Sequence, residues 1–441
     1  MKVIAKQIFV LTIILCSTQL FSQTSTNSPY SRYGLGEINT WGVNQNFAMA
    51  GLSAAIQNDS LGPYFINPFN PASYSSIRRT TIEAAGNNKR LMLKSSTGSS
   101  KKNIPGIGYV AFAFPITKWW GLAAGLMPYS NVGYKISDTK AVSGYYPVEY
   151  IYEGNGGLTK VFLGNGFKIK QLSVGFNASL LFGEIDNTRK VKLPNDSNAL
   201  SLKTASVTKI SDVVLNYGLQ YTFNVGKMGR NSSRENAKII FGVAGNLQSS
   251  VSAKNDVVSN TFIYNALNVE SAQDTLENFT NRKGAVKLPM SINTGVTLVK
   301  GTGFSLGVEY GIETWQNYRF FDEVNQLKQA NHFRIGTQFL PKGNTDLSKN
   351  FLSRVYYRAG FRYSQLPLVV KNTQITEMAV SAGFAIPVAR IRQLQQGSFV
   401  NIGVEVGQTG TTKNNLIQEK FVKVSVGITL NDRWFIKPKI N

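Results

Sequence analysis

The stretch Phe421-Val422-Lys423-Val424-Ser425-Val426-Gly427-Ile428-Thr429-Leu430 decides the fold. Val422, Val424, Val426, Ile428 and Leu430 fall on one face of an extended chain, and Lys423, Ser425, Gly427 and Thr429 on the other, because side chains alternate along a strand. The same period of two runs through Phe304–Glu313, where Phe304, Leu306, Val308, Tyr310 and Ile312 oppose Ser305, Gly307, Glu309, Gly311 and Glu313. It returns in Val213–Asn224 and, in weaker form, from about residue 78 to the end. A soluble sandwich also alternates, but its polar face meets water and its strands run ~5–6 residues. Here the strands run ~10–20 residues and the second face is small, polar and even charged, as in the lumen of a membrane barrel. Aromatics near strand ends (Trp119-Trp120, Tyr145-Tyr146, Trp315, Phe320-Phe321, Trp434-Phe435) fit an interfacial girdle.

Composition agrees. Of 441 residues, 16% are charged and 40 are glycine, against ~25% charged in soluble chains. Aromatics at 11% exclude disorder. Beyond residue 22 no apolar run reaches the ~20 residues of a spanning helix. The expected fold class is therefore all-β, a transmembrane antiparallel barrel. Counted strands cover 79–97, 104–116, 119–138, 149–165, 169–187, 205–226, 236–254, 286–300, 303–320, 329–341, 352–368, 374–390, 397–412 and 418–436, an even fourteen. The polar link 265–285 is expected outside the cell, and Lys300-Gly301-Thr302-Gly303 as a periplasmic turn.

Residues 1–22 read as an export signal: Lys2 and Lys6, the apolar Ile8–Cys16, then a polar exit with Ser22 before cleavage. Leu15 before Cys16 argues against lipidation. Export, with the barrel, places the chain in the outer membrane of a Gram-negative bacterium. The balance of 47 basic to 24 acidic residues, +23, lacks long basic runs. The expected partners of this charge are outer-membrane lipid headgroups and lipopolysaccharide phosphates, not nucleic acid. Residues 23–77 contain no lysine and no sustained period; such a length makes sense packed inside something, as a plug preceding a barrel of 78–441.

No catalytic constellation is present. His332 is the single histidine, which excludes a multi-histidine zinc site and a conventional catalytic triad, and no phosphate loop occurs. We expect no enzyme activity, no metal and no cofactor. Arg354, Arg358 and Arg362 share a parity with Tyr356 and Ser364 and should face the lumen, as should Glu309, Glu313 and Glu405. Two readings stand. The arginines pair with lumen or plug carboxylates to hold the plug, or they form an anionic-headgroup site on a substrate path.

Before the barrel, Tyr33-Gly34-Leu35-Gly36, Ala48-Met49-Ala50-Gly51-Leu52-Ser53-Ala54-Ala55, Asn67-Pro68 and Asn70-Pro71-Ala72 occur in an order that resembles the FadL-type family of outer-membrane hydrophobic-compound transporters. The resemblance implies a fourteen-stranded barrel closed by an N-terminal hatch, with Arg32, Tyr33, Gly51, Asn67, Asn70, Pro71 and Ala72 in the plug and its gating. It implies passive uptake of a small hydrophobic ligand, in part through the barrel wall. Ser28-Pro29-Tyr30-Ser31-Arg32-Tyr33 and Asn431-Asp432-Arg433-Trp434-Phe435-Ile436 resemble the Bacteroidetes branch, although Lys437–Asn441 follow the last aromatics. In that branch some such barrels are subunits of secretion or β-barrel assembly machines, in stable complexes with other outer-membrane or periplasmic proteins, rather than transporters. Asp59-Ser60-Leu61 and Asp274-Thr275-Leu276 resemble its O-glycosylation pattern, with Thr275 the better placed acceptor. A nonspecific aqueous porin is disfavoured because the plug fills the lumen.

Overall fold

The computed structural model describes residues 26–432 and 434, apart from 40–41, 59–63, 97, 145, 194–198, 228–235, 265–268, 302, 322, 325, 342–350 and 389–396. The export signal, the 59–61 motif and the chain after Trp434 lie outside the described residues. The strands, in order, are β1 (Glu37–Ile38), β2 (Thr80–Lys94), β3 (Ser99–Pro115), β4 (Trp120–Lys140), β5 (Val148–Ile169), β6 (Leu172–Lys192) and β7 (Ser201–Lys227). Then come β8 (Asn236–Asn246), β9 (Ser249–Tyr264), β10 (Glu270–Leu288), β11 (Ser291–Lys300), β12 (Phe304–Glu313), β13 (Arg319–Phe320) and β14 (Glu323–Val324). The chain ends with β15 (Ala330–Phe339), β16 (Tyr356–Val370), β17 (Thr373–Pro387), β18 (Phe399–Thr409) and β19 (Gln418–Asp432). With β8–β9 and β10–β11 each acting as one bent stave, fourteen antiparallel staves close where β19 pairs β2 from Gln418↔Lys94 to Asp432↔Thr80.

Closure follows from the alternation. Along β19 exposed and buried side chains alternate without a break, with Val422, Val424 and Val426 outside and Lys423 and Ser425 inside. In hydrocarbon the backbone has no water to bond, so a spanning sheet cannot keep a free edge. The apolar face is therefore the outer one, the reverse of a soluble barrel. An aromatic cluster, Trp119, Trp120, Phe167 and Phe176, with Phe114 against Trp434, marks the barrel end that carries the β11–β12 turn.

Three expectations change. The link 265–285 is largely strand: β10 pairs β9 from Glu270↔Tyr264 to Leu288↔Ser249. Residues 272–283 are exposed on both faces, so no hydrophobic period betrays the strand. Second, the 303–320 strand ends at Glu313, and the chain folds inward so that Trp315 and Tyr318 are buried rather than set in a girdle. They complete an apolar core with Leu35, Val132, Leu158, Leu181, Ile185 and Val286, so this end of the lumen is apolar where small, polar inward side chains were expected. Third, Arg354 sits in a short 3-10 turn, Phe351–Arg354, before β16 begins, with its guanidinium over the Phe351 ring.

The wall is uneven in height. Strands β4 to β7 run 21, 22, 21 and 27 residues, whereas β11, β12 and β15 run 10 each. Spanning needs only ~9–11. The excess of β4 to β7, with the β9–β10 hairpin, projects as a sheet beyond one end of the barrel.

Val424→Arg, at the middle of the outward face of β19, should cost about 2–4 kcal/mol of stability in lipid. Denaturant unfolding in bilayers checks this; an unchanged midpoint would mean that this face does not meet hydrocarbon.

Candidate functional site

The described residues of the N-terminal segment 26–77 bond to strands around the ring and are mostly buried. Its local shape is set by few residues. Ala50 and Gly51 both take the left-handed conformation, at φ 57° and 84°, which turns the chain after the one-turn helix Asn44–Phe47. Asn70 caps the Pro71–Ser76 3-10 turn by accepting from the Ala72 amide at 3.1 Å, while Pro71 occupies the first turn, where no amide is needed. Asn67 donates to the Ser53 carbonyl at 2.8 Å, and Asn70 to the Ala54 carbonyl at 2.5 Å, pinning the segment to itself. Ala72 is fully buried, where a side chain on Gly218 would strike Pro71 and Ala72.

The wall grips this segment through inward polar side chains. Glu309 on β12 accepts the Ser53 and Ala54 amides at 2.7 and 2.6 Å and is paired with Arg334 on β15 at 2.5 Å. Ser381 on β17 accepts from the Ala50 amide at 2.9 Å. Gln220 on β7 donates to the Ala54 and Ile56 carbonyls, and Asn177 on β6 to the Pro68 carbonyl at 2.9 Å. Tyr74 donates back to Asn177; burial pushes its phenol up, so it stays a neutral donor. On β19, Ser425 bonds Asn44. These are charge-assisted, hydroxyl or amide bonds between buried groups, where an unmade bond is expensive.

The arginines act between staves. Arg362 bonds both carboxylate oxygens of Glu405 on β18, at 3.0 and 3.1 Å, and Glu377 on β17 at 2.9 Å. Arg358 donates to Gln338 and Asn401. Neither reaches the segment. Glu313 accepts from Trp315 Nε1 at 2.5 Å and faces His332 Nε2 at 3.3 Å, while His332 Nδ1 meets Ser364 at 2.9 Å. Arg334 escaped the sequence reading, although it shares the parity of His332 on an alternating strand. Arg32 covers the Tyr152 ring at 3.7 Å from its centroid, and Tyr33 is exposed beside it.

One part of the wall is open. β3 pairs β4 only from Val110↔Leu126 to Pro115↔Gly121. Beyond that, β3 follows β2 alone, and the edge of β4 facing it has no stave beside it. The N-terminal segment fills that edge. β1 pairs it at Glu37↔Asn131 and Ile38↔Ser130, and the Asn39 amide donates to the Tyr129 carbonyl at 2.9 Å. The Ser31 hydroxyl accepts from the Gly133 amide at 3.0 Å. Gly36, at φ 91°, lies so close to the Asn131 backbone that any side chain would collide with it. Lys89 on β2 completes the fastening by pairing with Glu37 at 2.6 Å. The Thr26 hydroxyl donates to the same carboxylate at 2.9 Å.

Residues 36–39 also separate three cavities. One of about 120 Å³ has apolar walls from Leu35, Ile38, Trp315, Leu327, Leu366 and Leu368 beside the charged groups of Glu37, Lys89, Glu377 and Glu419. A second of about 80 Å³ lies across Ile38, against Lys160 and Arg334. The third, about 440 Å³, faces the gap between β3 and β4 and is bordered by Glu37, Asn39, Ile104, Ile107 and Ser130. Among the described residues no group of His, Cys, Asp and Glu is arranged to hold a metal.

Replacing Glu309 by Gln leaves Arg334 buried without its counter-charge and should cost about 3–5 kcal/mol, read as a lower denaturant midpoint; an unchanged midpoint would contradict the grip described. Glu37→Gln removes the ion pair with Lys89 and should raise protease cutting within 26–39 above that of the wild type; an unchanged rate would mean that the pair does not fasten β1.

No curated protein matches the chain in sequence. By fold, the barrel is similar to the toluene transporter TodX of Pseudomonas putida, at 13% identity over 90% of this chain and 100% of that one, with a TM-score of 0.58. A deltaS2 mutant of the TodX monoaromatic hydrocarbon channel gives 12%, 92%, 100% and 0.52, and the CymD monoaromatic hydrocarbon channel 11%, 91%, 99% and 0.50. At these identities the likeness is one of fold, that of outer-membrane channels. The family evidence lies in the sequence itself: residues 4–441 match BamG, and the chain belongs to the BamG family.

Proposed function

We propose that this protein is a membrane-embedded accessory subunit of an outer-membrane β-barrel assembly or secretion complex, built on a hydrophobic-compound channel fold whose lumen is closed by its N-terminal plug. The observation that carries this reading is the fastening of residues 26–77 to strands on every side of the ring, with Glu309, Ser381, Gln220 and Asn177 each spending a buried side chain on its backbone. A plug that moved out would leave these buried side chains without their partners, and a buried polar group left unpaired is costly. The family match supports the reading, since it spans nearly the whole chain. The projecting sheet of β4 to β7 and the β9–β10 hairpin supplies surface beyond the membrane for other envelope proteins. Thr275, exposed on that hairpin, is where we place any O-glycan.

A second reading, passive uptake of small hydrophobic molecules, is favoured by the β3–β4 gap and the apolar cavity behind β1. Under it, residues 36–39 are a gate whose displacement joins the cavities to the gap.

Native extraction in mild detergent, followed by intact mass of the particle, separates the two. We expect a complex of fixed stoichiometry with other envelope proteins; a lone barrel carrying a small hydrophobic molecule would overturn the subunit reading. A disulfide between Ile38→Cys and Ser130→Cys, paired across the β1–β4 ladder, should leave cell fitness and complex mass unchanged. Loss of hydrophobic uptake on oxidation, restored by reductant, would establish the gate instead.

A further inference from the structure

Lys160, on β5, is only 8% exposed and faces the lumen. Other buried cations have carboxylate partners: Lys89 has Glu37, Arg334 has Glu309 and Arg362 has Glu405. Lys160 has none among the described residues, and its ammonium lies 5.2 Å from the centroid of the Phe69 ring. An ammonium buried without an anionic partner is costly, so this position favours an oxyanion beside it. It borders the cavity of about 80 Å³, where the Arg334 guanidinium also lies. Arg334 Nε has no hydrogen-bond partner although Nη1 is bonded to Glu309 and to Asn293 Oδ1. The side-chain amides of Asn246 and Asn293 line the same space, each accepting through its oxygen. The Glu313 carboxylate at the rim is already engaged by Trp315 and faces His332.

We propose that this cavity is a binding site for a small oxyanion, a carboxylate or a phosphate, held by Lys160 with Arg334 and the two asparagine amides as further donors. Its volume suits such a group and is far below the ~300–1,000 Å³ of sites for drug-sized ligands. Because Phe69, Pro68 and Ser53 of the N-terminal segment form one side and β5, β8 and β11 the other, the anion bridges segment and wall. It is a fastener rather than cargo. The oxyanion has two sources, a free ion or the head of an amphipath whose chain leaves past Ile38 and Trp315, which border both this cavity and the apolar one.

The test is equilibrium dialysis of the detergent-solubilised full-length mature protein against labelled inorganic phosphate and labelled acetate, with barrel integrity verified by heat-modifiable migration. One saturable site for either anion is expected, weakened about tenfold or more in Lys160→Met and largely retained in Lys160→Arg, which keeps the charge and guards against a folding artefact. Dodecyl phosphate binding much more tightly than inorganic phosphate, with the same loss in Lys160→Met, would point to a headgroup; equal affinities would point to the free ion. No saturable binding of any of the three probes, or binding by Lys160→Met equal to wild type, overturns the proposal.

Discussion

A strand inside a bilayer has no water for its amides and carbonyls, so every edge must find a neighbour. In this barrel β3 leaves β4 after Leu126, and the next residues of β4 would face that penalty alone. The N-terminal segment meets it. Ser31, Glu37, Ile38 and Asn39 take the place of the missing stave over Pro128–Gly133, and Gly36 allows the approach. Most of the interior follows from this one substitution. The segment must enter the lumen to reach the edge, so its remaining backbone needs acceptors and donors there, and the wall provides Glu309, Ser381, Gln220 and Asn177. Glu309, being charged and buried, needs a partner of its own, hence Arg334 behind it.

The repeating parts of this arrangement were legible in the sequence. Strict alternation in Phe421–Leu430 and Phe304–Glu313 carries both the strand and the side that meets lipid, and parity alone put Arg358, Arg362, Glu309 and Glu405 inside. What alternation cannot carry is a strand exposed on both faces, which is why β10 looked like a loop. It also cannot tell an aromatic at the membrane boundary from one folded into the lumen: Trp315 follows the end of β12 as Trp119 precedes the start of β4, and only the inward course of the chain after Glu313 separates them. Arg354 has the right parity but lies two residues before the strand that would have aimed it. The strap over β4 left no trace beyond Gly34 and Gly36, because its pairing partner is about ninety residues away in the chain.

The same geometry bears on function from two sides. This barrel has a gap in its wall and a small cavity behind it, and both are closed by residues 36–39. The closure is not a loose lid; it is a ladder, an ion pair and a glycine contact, continuous with a segment bonded all around the lumen. A barrel that invests its lumen in this way presents a fixed body with one tall side. Similarity of fold to outer-membrane channels and membership of the BamG family are thus compatible, since a closed barrel keeps the channel fold.

The central claim is that residues 36–39 are a permanent part of the wall. Amide hydrogen exchange of the protein in lipid nanodiscs, followed by mass spectrometry of peptides covering 31–39 and 127–133, tests it most directly. The account predicts protection on both peptides comparable to that of the fully paired β5 and β6 staves. Exchange within seconds on both, with β5 and β6 still protected, would show an edge that opens freely and would contradict it.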